Sequence, residues 1–356
     1  MGAGAEPAWP VSAPRHFDRN QSPMIARPTL SSQPPDWRAE LGQAFRKPAD
    51  LLEWLGIDPG RIESLADPDF PMLVPRAFAG RMEPGNPDDP LLRQVLPIAQ
   101  ENQAVEGFVS DPVGDGPAAG GTGILHKYHG RVLVVTTGAC AVHCRYCFRQ
   151  AFPYSSHNAG RERWTGVVKY LESRPEVTEV ILSGGDPLML DTRRLADLTD
   201  RLARLPWIRR IRLHTRVPVV LPARMDAELI GWMGDLPWPL TLVIHANHPA
   251  ELDGPVHRGL ESARRAGATL LNQAVVLRDI NDNAGILARL MEAGHDCGVL
   301  PYYLHVLDRV AGAAHHEVSE ETARELVTRL REILPGYLVP RLVREDAGAL
   351  YKTPLL

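Results

Sequence analysis

The chain has 356 residues, of which 44% are hydrophobic and 23% charged, and its formal net charge is −4. This composition is typical of a globular protein, and the lack of any block of like charges excludes a nucleic-acid-binding track or a surface for anionic membranes. Neither a secretory signal nor an apolar run of the roughly 20 residues that a membrane span needs is present, so we expect a cytoplasmic protein with no nucleic-acid or membrane partner.

Four regions follow one another along the chain. Residues 1–35 are rich in Pro, Ala and Ser and show no period, which predicts a flexible tail. Residues 36–125 combine amphipathic segments with many prolines and predict a mostly helical region. Residues 126–335 have a regular pattern, and residues 336–356 form a C-terminal segment.

The regular region contains apolar, β-branched segments separated by amphipathic segments of helical period. The six predicted strands are residues 131–138, 179–185, 209–215, 240–246, 269–277 and 297–305. Strands that alternate with helices imply a parallel sheet with right-handed crossovers, and nearly continuous apolar strands imply burial on both faces. An open doubly wound sheet and a barrel would share this pattern.

Polar residues that can do chemistry lie at or just beyond the predicted strand ends. They are Cys140, Asp186, His214, His245, Asn247, Gln273, His305 and Asp308. A barrel of β/α units places its active site at that end of its strands. The fold prediction is therefore α/β, with a partial (β/α)6 TIM-like barrel that is open on one side and a helical N-terminal extension.

Three of the four cysteines, Cys140, Cys144 and Cys147, form a CxxxCxxC pattern directly after the first strand. In a reducing compartment this clustering favours metal binding over disulfides. Four thiolates normally hold an iron–sulfur cluster, so three leave one iron open. That iron can take the amino and carboxylate groups of S-adenosylmethionine, and the reduced cluster can then release a 5′-deoxyadenosyl radical.

A fourth ligand would change this interpretation, and Cys297 for a closed cluster or His143 for a zinc ion could supply one. Cys297 opens the sixth predicted strand at the far end of the sheet, roughly 25 Å from the site end at ~3.3 Å per residue, so it is predicted to be a buried structural thiol. A structural zinc ion needs four ligands, and His143 within the loop could be the fourth, so a zinc site remains an alternative.

Two further features are ambiguous on their residues alone. Ser183, Gly184, Gly185 and Asp186 follow the second strand, and two glycines let a backbone approach a ligand closely. This loop is either a tight turn or a holder for the amino group of S-adenosylmethionine. Lys352 lies in the C-terminal segment LYKTPLL, where an isolated lysine is usually solvated.

Several motifs in one order identify a family resemblance. They are the cysteine loop, SGGDPL, HANHP at 245–249, NQAVVLRDIND at 272–282, PYYLHVLD at 301–308 and YKTP at 351–354. Together they resemble the lysine 2,3-aminomutase family of radical S-adenosylmethionine enzymes over residues 36–356, and most of all the branch that supplies β-lysine for modifying elongation factor P.

The resemblance implies a six-unit partial barrel of the radical S-adenosylmethionine type that binds a 4Fe–4S cluster, S-adenosylmethionine and pyridoxal 5′-phosphate. It also implies an isomerase that moves the α-amino group of L-lysine to the β-carbon. An external one-electron donor such as flavodoxin or ferredoxin would reduce the cluster. The expected product is (R)-β-lysine, which a separate ligase would attach to a lysine of elongation factor P.

The resemblance also implies roles for individual residues. Cys140, Cys144 and Cys147 would bind the cluster, and Lys352 would form the Schiff base with pyridoxal phosphate. Arg149 would pair with the substrate carboxylate, which suits a bidentate arginine. Asp308 and Glu345 would hold the distal ammonium. The implied cofactor contacts are Ser183, Gly184, Gly185, Asp186, Arg131, Gln273, His245 and Asn247.

Departures from the family pattern leave the substrate open. Glu345 stands where the family has aspartate, and Asp346 is an adjacent alternative. Residues 347–351, AGALY, replace a glycine-rich stretch. An aminomutase of arginine or glutamate on the same scaffold is therefore one alternative function. A non-catalytic metal-binding protein with a structural zinc site is an alternative of another class.

Overall fold

The computed structural model describes residues 36–118, 123–154, 159 and 164–356. The tail predicted at residues 1–35 lies outside these described residues. Within them, a single sheet runs in chain order from β1 to β9. Its strands are β1 (Ile124–Tyr128), β2 (Arg131–Thr137), β3 (Glu179–Gly184), β4 (Arg210–Thr215), β5 (Leu240–Ile244), β6 (Thr269–Val275), β7 (Leu300–His305), β8 (Arg341–Arg344) and β9 (Thr353–Pro354).

The middle of the sheet is parallel and its two edges are antiparallel. Every neighbouring pair from β2 to β8 is parallel, whereas β1 pairs with β2 and β9 pairs with β8 in antiparallel fashion. The strand order ends at β1 on one side and β9 on the other, so the sheet is a partial barrel. The predicted α/β fold class is therefore confirmed.

The structure adds three strands to the six that were predicted. β8 is a seventh parallel strand, and β1 and β9 are the antiparallel edges. The sequence analysis missed them because they contain five, four and two residues, which is too short for a clear period of two. The predicted strand at 297–305 begins later, at Leu300, because Cys297 caps the preceding helix.

Helices connect the parallel strands and also form the N-terminal region. They are α1 (Trp37–Gly42), α2 (Pro48–Leu55), α3 (Arg76–Ala79), α4 (Asp115–Ala118), α5 (Thr165–Glu172), α6 (Thr192–Leu202), α7 (Val217–Val220), α8 (Ala227–Gly234), α9 (Gly254–Arg265), α10 (Ala284–Asp296) and α11 (Glu320–Ile333). Within the described ranges, no helix is long and apolar enough to cross a membrane.

Side-chain caps start the long crossover helices. The residue before each of these helices accepts a hydrogen bond from a backbone N–H of its first turn, which satisfies a donor that the helix itself leaves unpaired. The capping residues are Asp191 for α6, Asp226 for α8, Asp253 for α9, Asn283 for α10 and Ser319 for α11. These caps determine where each crossover leaves its loop at the site end of the sheet.

One hydrophobic core joins the barrel to the N-terminal helices. It contains strand residues such as Val180 and Leu242 together with Leu52 of α2 and Phe78 of α3, all fully buried. Apolar burial of this kind is the main favourable contribution to folding. The N-terminal region therefore packs as part of the same hydrophobic core as the barrel.

Candidate active site

The inside of the barrel contains a cavity of about 890 Å³. This volume lies within the range of small-molecule and cofactor sites. Its lining runs from the loops after β2 and β3 to the first residues of strands, such as Arg131 and Glu179. The predicted site residues that line it are Cys140, Cys144, Cys147, Arg131, Arg149, Ser183, Gly184, Gly185, Asp186, His245, Gln273, Asp308, Glu345 and Lys352.

The cysteine loop rests on the glycine-rich loop after β3. The Gly185 N–H donates to the Thr137 carbonyl at 2.7 Å, and the Asp186 N–H donates to the Ala139 carbonyl at 2.8 Å. A Cβ on Gly184 would lie 2.5 Å from the Thr137 oxygen, and the φ of Gly184 is 121°. Both loops can approach this closely because these positions lack a side chain. Packing thus accounts for the glycines, and their contact with S-adenosylmethionine stays a prediction.

Both oxygens of the Asp186 carboxylate accept hydrogen bonds from other groups of the protein. Its Oδ1 accepts from the Leu188 N–H at 3.0 Å and from the Thr215 hydroxyl at 2.7 Å, and its Oδ2 accepts from the Arg216 N–H at 2.7 Å. Burial raises its pKa to about 6, although these hydrogen bonds oppose the shift. The side chain therefore joins the loop after β3 to the end of β4, which differs from the predicted direct cofactor contact.

The three thiols of the cysteine loop all line the cavity and lie close enough to affect one another's pKa. Burial raises the pKa of Cys140, and the neighbouring Cys147 raises it further. Burial and Cys144 likewise raise the pKa of Cys147 to about 11. Three partly buried cysteine sulfurs on one cavity are the ligands that an iron–sulfur cluster uses, so the donor set fits such a cluster. Arg216 Nη1 lies 2.6 Å from Cys144 Sγ and donates to it.

Neither candidate for a fourth ligand, His143 for a zinc ion or Cys297 for the cluster, is among the cavity-lining residues. The His143 Nδ1 is 2.7 Å from the Pro71 carbonyl, and this ring stacks on Phe70. Cys297 is buried, as predicted, but it caps the end of α10 and does not open a strand. In the part of the chain that the structure describes, no group of three His, Cys, Asp or Glu side chains is placed to hold a single metal ion. A cluster has no such requirement, because each thiolate binds a different iron.

Five side chains of alternating charge lie along one wall of the cavity. Arg149 Nε is 2.6 Å from Asp115 Oδ2, and Lys127 Nζ is 2.5 Å from Asp115 Oδ1. Lys127 Nζ is also 3.1 Å from Glu345 Oε1, and Glu345 Oε2 is 2.5 Å from Lys352 Nζ. We call these five residues the charge chain. It connects the arginine predicted for the substrate carboxylate with the lysine predicted for pyridoxal phosphate.

The charge chain keeps its acids ionised. Burial alone would raise the pKa of Glu345, but Lys352 and Lys127 bring it to about 2. Burial also tends to raise the pKa of Asp115, but Arg149 and Lys127 together hold that pKa below the usual value. Both carboxylates are therefore charged at neutral pH.

The structure distinguishes between the two candidate acids at 345 and 346. Glu345 lines the cavity and contacts Lys352. Asp346 instead accepts from Arg344 at 2.7 Å and from the Thr353 hydroxyl at 2.6 Å. These two bonds hold the turn between β8 and β9. Of the two adjacent acids, Glu345 is placed to meet a ligand.

Four buried polar atoms on neutral side chains of the cavity have no hydrogen-bond partner among the described residues. They are the Nε2 atoms of His214, His245 and His305 and the Oε1 atom of Gln273. Burial lowers the pKa of His245 to about 3 and also lowers the pKa of the other two histidines, so all three are neutral. A buried polar group without a partner costs about 1–3 kcal/mol, so these atoms fit a site that takes a polar ligand.

A group of cations suits the phosphate of pyridoxal phosphate. Arg131, Arg212 and Arg341 line the same cavity, and the Arg131 guanidinium stacks 4.6 Å above the Tyr128 ring. Arg212 is partly neutralised by Glu179 at 3.0 Å. Arginines recognise phosphate through several parallel hydrogen bonds. Together with the amino group of Lys352, the residues present fit this cofactor.

Asn247 differs from its predicted role. The cavity lining does not include it, and its side chain is buried. Its Nδ2 donates to the Tyr146 hydroxyl at 2.6 Å, and its Oδ1 accepts from the Val275 N–H at 2.9 Å. Asn247 therefore holds Tyr146 of the cysteine loop and does not face the space where a cofactor would bind.

Sequence reasoning missed several residues of the site, among them Asp115, Lys127 and Arg216. Asp115 lies in a segment without a regular period, so no pattern indicated that it was buried. Lys127 lies on the edge strand β1, which was not predicted. Arg216 directly follows the predicted strand 209–215, and its position just beyond a strand end was a usable signal.

Comparison with known proteins gives consistent matches. A family profile described as a 4Fe-4S single cluster domain matches residues 126–212. The L-lysine 2,3-aminomutase of Escherichia coli (strain K12) is 45% identical over 90% of this chain and 94% of its own length. That of Haemophilus influenzae is 39% identical over 89% of this chain and 95% of its own length. That of Clostridium subterminale is 29% identical over 90% of this chain and 78% of its own length.

Proposed function

This chain belongs to the lysine 2,3-aminomutase family, and from that membership we propose that it converts L-lysine to β-lysine by moving the α-amino group to the β-carbon. The family resemblance of the motifs is confirmed, and the enzyme class is isomerase. When bound, a 4Fe–4S cluster with S-adenosylmethionine would supply a radical, and pyridoxal 5′-phosphate would supply the π-system that carries the migrating nitrogen.

The observation that carries this proposal is the shared cavity. Its lining joins the three thiols of the cysteine loop to the amino group of Lys352 and to Arg149. A cluster site alone would fit many kinds of radical chemistry, and a buried lysine alone would fit many kinds of cofactor. A radical must form beside the substrate that it attacks, so both groups are needed in one enclosed space.

Lysine as the substrate is supported by the charges at the two ends of the site. Arg149 donates to Asp115 through Nε, and its Nη1 has only a long contact of 3.4 Å with the Ser183 hydroxyl, so its two terminal nitrogens can donate to a carboxylate. Asp308 and Glu345 line the same cavity and can meet a distal ammonium. Burying that ammonium without a partner would cost about 3–5 kcal/mol. A glutamate side chain would instead bring a carboxylate towards these acids.

We assign the remaining roles as part of the same proposal. Cys140, Cys144 and Cys147 would bind the cluster, and Lys352 would bind pyridoxal phosphate covalently. Arg131 and Gln273 would contact that cofactor, and His245 and the loop from Ser183 to Asp186 would border S-adenosylmethionine. Asn247 would act by holding Tyr146, which is an indirect role.

The wider role follows from the resemblance to the elongation factor P branch. We propose that the product is (R)-β-lysine and that a separate ligase attaches it to elongation factor P. A flavodoxin or ferredoxin would deliver the electron that reduces the cluster. Pyridoxal phosphate dependence, the product isomer and both partners are parts of the proposal that need their own measurements.

An anaerobic assay tests the proposal. The protein is reconstituted with iron and sulfide, supplied with S-adenosylmethionine, pyridoxal phosphate and a chemical reductant, and given L-lysine, L-arginine or L-glutamate in turn. We expect β-lysine from lysine, resolved as the R isomer by chiral chromatography. The Lys352→Ala variant should retain the cluster absorption and lose the absorption band of lysine-bound pyridoxal phosphate and all turnover.

The same assay decides between the alternatives. A β-isomer of arginine or glutamate without any β-lysine would contradict lysine as the substrate. Stoichiometric zinc without iron or sulfide, in protein purified without oxygen, would contradict the enzyme altogether and favour the structural zinc site. Retention of the pyridoxal band in Lys352→Ala would show that another residue anchors this cofactor.

A further inference from the structure

Lys127 is the central member of the charge chain and has no role in the function proposed so far. It lies on the edge strand β1, and its side chain is 16% exposed. Its ammonium is 2.5 Å from Asp115 Oδ1, 3.1 Å from Glu345 Oε1 and 2.8 Å from the Val113 carbonyl. The Val113 and Glu345 oxygens accept hydrogen bonds from Lys127, and Asp115 Oδ1 forms an ion pair with it. Lys127 is thus held by three oxygens of the protein itself.

The two acids on either side of Lys127 each face a residue of the proposed substrate site. Asp115 holds Arg149, which would pair with the substrate carboxylate. Glu345 holds Lys352 and would meet the distal ammonium. Removing the Lys127 charge would leave each buried acid with one cation in place of two. Buried carboxylates that lose a partner move, take up a proton or admit water.

Lys127 would remain a cation beside Glu345 whenever the amino group of Lys352 is bonded to pyridoxal phosphate. Glu345 then loses a free ammonium partner, whereas Lys127 stays in place. The pKa of Glu345, which burial tends to raise, is held low by both lysines. Lys127 therefore keeps the pKa of Glu345 low throughout the reaction cycle.

We propose that Lys127 is a positioning residue for the amino-acid substrate. Lys127 forms ion pairs with both Asp115 and Glu345. It thereby holds Arg149, which would bind the carboxylate, and Glu345, which would bind the ammonium, at a set separation. A fixed separation of these two groups would favour one length of substrate between its carboxylate and its distal cation. This inference rests on the proposed function, because it assigns Arg149 and Glu345 to the two ends of that substrate.

The test compares Lys127→Met, which keeps the length of the side chain and removes its charge, with Lys127→Arg, which restores a cation. Lys169→Met on α5 is the matched control, since Lys169 is exposed. Binding is measured anaerobically on cluster- and pyridoxal-loaded protein without reductant, as the change in the pyridoxal absorption band on titration with L-lysine. Steady-state kinetics then separate KM from kcat.

We expect Lys127→Met to weaken lysine binding and raise KM at least tenfold while kcat falls less than threefold. Lys127→Arg should recover binding to within about threefold of the wild type, and Lys169→Met should match the wild type. If Lys127→Met lowers the melting temperature by more than about 10 °C, which is more than one lost interaction explains, Lys127→Gln is measured against the same thresholds.

Two outcomes would overturn the inference, and they differ in what else they affect. The positioning role is contradicted if Lys127→Met binds lysine as the wild type does, or if Lys127→Arg does not recover the lost lysine binding. Either result leaves the proposed function intact. A wild-type protein whose pyridoxal band responds to none of lysine, arginine and glutamate contradicts the proposed function and, with it, this inference.

Discussion

Asp308 and Glu345 are both proposed to meet the same ammonium, yet their surroundings move their pKa values apart. Burial raises the pKa of Asp308 to about 7, against the opposite influence of Lys352. Burial also tends to raise the pKa of Glu345, but Lys352 and Lys127 lower it to about 2. Near neutral pH Glu345 is therefore ionised, whereas Asp308 is close to its titration midpoint. Substrate binding should depend on pH through Asp308.

Lowering the pH below about 7 should lower kcat/KM for lysine. Protonation of Asp308 removes a charge that attracts the substrate ammonium, so kcat/KM should fall about tenfold per pH unit below that value. Asp308→Asn should remove this step and lower kcat/KM at pH 8 by more than about a hundredfold, from a loss of about 3 kcal/mol. The measurement is kcat/KM from about pH 5.5 to 9. A pH step that persists in Asp308→Asn would assign the titration to another group.

The same raised pKa affects the stability of the folded chain. The unfolded value for aspartate is about 3.9, so the folded protein binds this proton more tightly than the unfolded chain does. The contribution of Asp308 to stability is therefore fully present below about pH 3.9 and is lost as the pH rises through about 7. Protonation of Asp308 should therefore lower kcat/KM for lysine but stabilise the folded chain.

At the scale of elements, the loop after β3 supports the loop after β2. Backbone hydrogen bonds from Gly185 and Asp186 reach the Thr137 and Ala139 carbonyls. The Tyr154 hydroxyl adds a bond to the Gly184 carbonyl at 2.9 Å. Since Cys140 follows Ala139 directly, the position of this proposed cluster ligand depends on the contact between the two loops.

A side chain at Gly185 should disturb the cluster site. A Cβ there would lie 2.7 Å from the Gly138 carbonyl carbon, so the cysteine loop must shift. We expect Gly185→Ala to lose about 1–3 kcal/mol of stability and at least half of the bound iron after reconstitution. The measurements are urea unfolding and iron content per chain.

Gly231→Ala is the control for this substitution. Gly231 lies within α8, and a Cβ there would meet nothing within 4 Å. Alanine at that position should keep full iron content and raise stability by about 0.5–1 kcal/mol. Equal iron content in the two variants would show that the loop contact does not position the cluster ligands.

At the scale of the whole molecule, the N-terminal region and the barrel are joined by buried charges as well as by apolar contacts. Arg145 of the cysteine loop is 1% exposed and donates to Glu101 through Nε at 2.8 Å and also through Nη2. Its Nη1 donates to the Phe70 carbonyl at 2.8 Å. The cysteine loop therefore lies between the barrel and the N-terminal region.

Removal of the Glu101 carboxylate should destabilise the whole chain. Glu101→Ala leaves the Arg145 guanidinium buried without its anion, which costs about 3–5 kcal/mol. Urea unfolding followed by circular dichroism should show one transition with a lower midpoint, since both regions share one core. Glu106→Ala, at an exposed position, is the control and should change stability by less than about 0.5 kcal/mol. A second, separate transition in Glu101→Ala would mean that the two regions unfold independently.

The amino-acid sequence alone was sufficient for the fold class, for the cluster-binding loop and for the family. Alternation of apolar strands with amphipathic helices is a local pattern, and the three cysteines lie within eight residues, so both features are visible without a folded chain. The resemblance also marked Lys352, although its own surroundings in the sequence predict a solvated lysine.

The folded chain was needed to recognise the charge chain and to choose Glu345 over Asp346. Lys127 and Glu345 are 218 positions apart and meet only because the barrel brings β1 close to the end of β8. The side chains of adjacent residues at a strand end point in different directions, and only packing reveals which of them faces the cavity. Long-range contacts leave no periodic pattern in the sequence, which is why Asp115, Lys127 and the indirect role of Asn247 emerged from the tertiary structure.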